Sequence, residues 1–81
     1  MNERLIQDEK PLKVLIEQAG YTQKDFASRM GMAYSAIKYY VAGQRMPSAS
    51  VLADMCRVLN KSPKTVMKAL GIDITGIPDD E

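Results

Sequence analysis

Residues 22–47 read TQKDFASRMGMAYSAIKYYVAGQRMP, and this stretch decides how the rest of the chain must fold. Thr22 predicts a helix start: its hydroxyl can accept from first-turn amides, and Asp25, three residues on, completes a capping-box-like pair. Phe26, Ala27 and Met30 then recur on one face, with Lys24, Ser28 and Arg29 turned away. Gly31 stops this helix at a point where positive φ is unstrained only without a side chain. Only Gly31, Met32 and Ala33 separate it from the next periodic run, Tyr34 to Ala42, a break short enough to set two helices across one another. With Ile37 facing the core, steps of about 100° per residue put Ala33, Tyr40 and Val41 on the same side. Ser35, Lys38, Tyr39 and Ala42 are then expected on the outer face, with Tyr34 on its flank. Residues 43–47 read as a loop, because Gly43 and Pro47 punctuate it.

The flanking sequence supplies three more helices. Upstream, Pro11 suits a first helical turn, Leu12, Leu15, Ile16 and Ala19 face inward, and Gly20 ends the run. Downstream, Ser48 caps a helix that buries Leu52, Met55, Cys56 and Leu59. Ser62 with Pro63 starts a last helix that buries Val66, Met67 and Leu70, and Gly71 closes it. The fold class expected is all-α, a compact five-helix bundle over residues 11–71. Residues 1–10 form an N-terminal arm, and residues 72–81 an acidic tail. Ile72, Ile74 and Ile77 of that tail can pack as an arm or strand, serve as a dimerisation arm, or fray.

Composition narrows the function. At 81 residues there is room for one small domain. With 46% hydrophobic and 26% charged residues, the chain is neither disordered nor of low complexity. No apolar run reaches the roughly 18 residues that cross a bilayer, and the first residues lack a secretory apolar stretch, so no membrane association is expected. A single cysteine, Cys56, forms no internal disulfide, which fits a reducing cytoplasm. There is no histidine, so the commonest general base and metal ligand are missing. The glycines are too scattered to cradle a phosphate. These absences argue against an enzyme, and no cofactor, metal or small-molecule ligand is expected.

The net charge of +1 hides a segregation. Residues 1–19 carry three basic against four acidic side chains, residues 20–68 eight against two, and residues 69–81 none against four. The centre is therefore +6 between acidic ends, as on a surface that binds a polyanion; solvated helix faces account for the charge equally well. The Lys61, Lys64 and Lys68 run reads as one such solvated stripe.

Residues 22–47 resemble the helix-turn-helix of the phage repressor and Cro family, and the similarity extends over residues 12–71. The matching features are Thr22-Gln23 opening the second helix, the Phe26-Ala27 pair, Met30-Gly31-Met32, Ile37 inside the third helix, and Gly43 followed by Pro47 four residues on. Two positions depart: Ile16 and Val41 stand where the family often has Arg and Glu. Residues 38–40, Lys-Tyr-Tyr, are more aromatic than usual.

The resemblance implies a lambda-repressor-like domain, with the third helix as the recognition helix. It implies a cytoplasmic bacterial or phage transcriptional regulator, on the nucleoid, that binds double-stranded DNA as a homodimer on a palindromic operator. A helix polar on one side fits the major groove, about 12 Å wide. Tyr34, Ser35, Lys38 and Tyr39 are the expected base contacts; Thr22, Gln23, Gln44 and Arg45 are the expected phosphate contacts. Two other readings stay open on sequence alone. The domain can be the antitoxin of a toxin–antitoxin pair, which binds its own promoter and a toxin or other regulatory protein. It can also be a helical protein-interaction module whose tyrosines act as apolar anchors.

Overall fold

Pro11 locks its own φ and forces the residue before it into extended backbone, and Lys10 is extended at φ −91°, ψ 129°. From there the computed structural model, described over residues 10–78, is built of helices. They are α1 (Pro11–Gln18), α2 (Gln23–Met30), α3 (Tyr34–Ala42), α4 (Ala49–Leu59) and α5 (Pro63–Ala69). Residues 1–9 of the expected arm and Asp79, Asp80 and Glu81 of the acidic tail lie outside the described residues.

Side-chain caps start three of the helices. The Asp25 amide donates to Thr22 Oγ1 at 3.0 Å, and the Thr22 amide donates back to Asp25 Oδ2 at 3.3 Å. Ser48 and Ser62 accept from the amides of Val51 and Thr65. Ala33, before α3, has no such side chain. All five helices end at a left-handed residue. After α2, the Gly31 amide donates to the Ser28 carbonyl and the Met32 amide to the Ala27 carbonyl. Gly31 sits at φ 68°, ψ 32°, in the left-handed region. This Schellman pair of bonds satisfies two carbonyls that would otherwise have no partner. The same two bonds close α1, α3 and α5; at α4 the left-handed residue is Asn60, at φ 58°.

The core draws on every helix: Leu12 and Ile16, Phe26 and Ala27, Ile37 and Tyr40, Met55 and Leu59, and Val66, joined by Leu70 just past α5. α1 packs on α2, α3 and α5, while α4 bridges α2 and α5. No polar or charged side chain is buried among the described residues. Ile16 is fully buried and Val41 packs half-buried on the same cluster, so both positions that depart from the family's charged residues add apolar surface to the core. Met30, Leu52 and Cys56 are half-buried against the core, whereas Met67, expected inside, is half-buried at its edge beside Ile77 and Pro78. Another inward expectation fails outright. Ala33 is exposed, because it is the extended residue before α3 (φ −69°, ψ 145°) and helical steps do not apply to it.

The tail forms neither strand nor free arm between Ile72 and Pro78. Asp73 Oδ1 accepts from the Thr75 amide, which holds its carboxyl below the ordinary value, and the Ile77 amide donates to the Ile74 carbonyl across Gly76. This turn brings Ile77 and Pro78 beside Ser62, Pro63 and Met67 at the start of α5.

Phe26 has no exposed surface, so Phe26→Ala should cost about 3–5 kcal/mol in urea denaturation. A Cβ at Gly31 would meet nothing within 4 Å, so Gly31→Ala should cost only the left-handed backbone strain, about 1–2 kcal/mol. Burial raises the Cys56 thiol above its ordinary pKa, against a smaller opposing pull from Arg57. Less thiolate is then present at pH 8, and iodoacetamide should alkylate native Cys56 more slowly than the urea-unfolded chain at the same pH.

Candidate nucleic-acid interface

The turn Gly31-Met32-Ala33 fixes how α2 and α3 meet. Met32 is half-buried in the core and its amide is tied to Ala27, so the chain leaves α2 in one direction only. α3 then turns Ile37 and Tyr40 inward, fully and nearly fully buried, with Val41 half-buried beside them. The opposite side of α3 is open: Ser35, Lys38 and Ala42 are exposed, Tyr34 is 39% exposed and Tyr39 44%. The two tyrosines thus present flat apolar faces and hydroxyl groups to whatever meets this side of α3.

The four expected base-contacting residues thus share this outward side. Tyr34 and Lys38 are in direct contact, the Lys38 ammonium lying 5.0 Å from the ring centroid. Beyond α3, Gln44 and Arg45 are exposed in the loop, and the Arg45 guanidinium stands 5.0 Å from the centre of the Tyr39 ring. Thr22 and Gln23 open α2. The Thr22 hydroxyl oxygen already accepts from Asp25, leaving its proton to donate, and Gln23 is half-buried. The capping box also sets the Asp25 carboxylate in this first turn, where it counters part of the attraction for an anion.

Lys24 was missed from the sequence. Its place on α2 reads as plain solvent-facing charge, yet its ammonium stands 5.5 Å from the centre of the Tyr34 ring. The available signal was an aromatic opening one helix and a lysine in the first turn of the helix before it, joined by a three-residue break. Lys24, Lys38 and Arg45 therefore form a strip of positive charge interleaved with two tyrosines. None of the three is ion-paired among the described residues. The ion pairs there, Lys13 with Glu17 and Arg57 with Asp54, lie on α1 and α4. Arg29 belongs elsewhere, over the ring of Tyr21 at 5.4 Å. Lys61 and Lys68 are exposed on and before α5, apart from the strip.

Chemically, the strip can hold polyanions and stack on flat rings or methyl groups. Among the described residues there is no cluster of three potential metal ligands, and no helix is long and apolar enough to cross a membrane.

The family model described as helix-turn-helix matches residues 12–66, from α1 into α5. A relative from Bacillus subtilis (strain 168), named as the uncharacterized HTH-type transcriptional regulator YazB, is 42% identical over 43 residues, 53% of this chain. The match covers 62% of that relative, less than two thirds of its length. No solved structure matches significantly.

Proposed function

The chain belongs to the helix-turn-helix family, and on that premise we propose that it is a sequence-specific, duplex-DNA-binding transcriptional regulator of the repressor and Cro type. Residues 11–71 are the DNA-binding unit, and α3 is the helix that enters the major groove. The observation that carries this reading is the outward side of α3. Tyr34, Ser35, Lys38 and Tyr39 hold up no part of the core, while Ile37 and Tyr40 fix the angle at which they are presented. The name of the Bacillus relative agrees with it.

Roles follow from chemistry. Lys38 donates to guanine O6 or N7, Ser35 donates to or accepts from a neighbouring base edge, and the tyrosine rings meet thymine methyls. Thr22 and Gln23, with the first-turn amides of α2, meet one phosphate, and Gln44 and Arg45 meet another across the groove. One module makes few base contacts. Two copies therefore bind a palindromic operator, with half-sites about 10–10.5 bp apart. They pair through α5 and the segment after it, where Ile77 is 37% exposed. Beside them an apolar groove of about 390 Å³ runs between Val14 and Leu15 on one side and Ala69 on the other.

Selection from a random duplex pool defines the operator. Against it, Lys38→Ala should change the preference at one base pair by about 1–3 kcal/mol. Arg45→Ala should weaken all sequences alike and reduce the slope of log affinity against log salt by about 0.9. Gln23→Ala should also weaken all sequences alike, but with the slope unchanged, since it removes no charge. Affinity for mixed-sequence duplex that does not fall with salt overturns the DNA reading and leaves an interaction module. For pairing, Ile77→Asp should shift sedimentation equilibrium toward the monomer and weaken operator binding with helicity unchanged. A wild-type chain that sediments as a monomer on its operator overturns the dimer.

A further inference from the structure

One ring on the interface holds two cations from two different helices. Lys38 lies four residues beyond Tyr34 on α3, so its ammonium, 5.0 Å from the ring centroid, is a neighbour that helix geometry supplies. Lys24 is on α2, and its 5.5 Å approach to the same ring exists only because the two helices cross. Both separations fall within the range where a ring's quadrupole attracts a cation. The attraction uses the charge of the ammonium and leaves its N–H donors available to another acceptor. Two like charges gathered on one residue repel, and the attraction of each to the electron-rich ring offsets part of that repulsion. At the far end of α3, Tyr39 and Arg45 make a single-cation version of the arrangement.

We propose that Tyr34, in addition to its own base contact, positions its two lysines: it couples a phosphate contact made by Lys24 to the base contact made by Lys38. The proposal rests on the DNA-binding reading above and adds Lys24 to the interface. A free lysine side chain samples many rotamers and loses that freedom when it grips a base. When a backbone phosphate fixes the Lys24 ammonium beside the ring, that side of the ring is occupied, the ring loses room to turn, and Lys38 is held at one angle in the groove. A lysine on the helix that touches no base then controls how sharply a base is read. An ordinary phosphate-binding lysine has no such effect, because phosphate contacts carry no sequence information of their own.

The test has two arms. In the DNA-free protein, ring currents from Tyr34 should move the ε-methylene proton resonances of both Lys24 and Lys38 upfield. The shifts should persist in Tyr34→Phe and vanish in Tyr34→Leu. In the second arm, the selected operator and its variants at the Lys38 base pair are titrated over a range of salt. Lys24→Gln should reduce the salt slope by about one and also reduce the preference at that base pair severalfold. Tyr34→Leu should lose the same preference with the slope intact, and Tyr34→Phe should keep both. If Lys24→Gln weakens every sequence by the same factor, the coupling is wrong. Unshifted ε-methylene protons in the wild-type protein also overturn it. A wild-type chain that shows the ring-current shifts but fails to bind duplex DNA at low salt overturns the DNA reading instead, and the two failures are thereby told apart.

Discussion

The rotational setting of α3 is the constraint on which everything else in this molecule depends. Ile37 and Tyr40 lie three residues apart, so both can enter the core only when the helix is turned one way about its axis. A turn of about 100°, one residue's worth, would drive Lys38 toward Phe26 and push Ile37 into water. Burying an unpaired lysine costs far more than any contact at the surface returns. The positively charged strip outside is therefore aimed by greasy contacts inside. With no polar side chain buried among the described residues, no buried side-chain hydrogen bond or ion pair shares in that aim.

The helices that carry this arrangement are short, from seven to eleven residues. In isolation, helices of that length are marginal in water. Caps and closing turns keep them defined long enough to pack. The left-handed closing residue also reverses the chain within two or three residues, which is how five helices fit on so small a core. At α2 this closure does double duty, because the same residues that end the helix orient α3.

Much of this was legible in the sequence because it is local. Thr22 with Asp25, Ser48, Ser62 and the closing glycines act over three to five residues, and the apolar spacing of Phe26, Ile37, Met55 and Val66 gives the inner faces directly. What escaped depends on something beyond the local pattern. Helical spacing points Ala33 inward, but a residue before the first turn has extended backbone and does not follow that spacing. Asn60 was not foreseen as a helix-ending residue, since glycine is the usual signal there and asparagine a weaker one. The turn after Ile72 depends on its seat against α5. Lys24 was passed over because its proximity to Tyr34 is set by the crossing of two helices, and no count along one helix contains that distance. At the interface, the exposure of Tyr34, Ser35, Lys38 and Tyr39 could be read from periodicity, but their pairing with cations from other elements could not.

The division of α3 into a buried side and an open side has an evolutionary consequence. Ser35 and Lys38 support no neighbour in the core, and replacements at such surface positions usually alter stability by about half a kcal/mol or less. Gene duplicates of this scaffold can thus diverge at those two codons and change the chemistry of the open side while the bundle beneath them stays as it is. Tyr34 tolerates less drift, since a change there disturbs two lysines at once. Lineages should accordingly fix an aromatic at that codon before they diversify the ones around it.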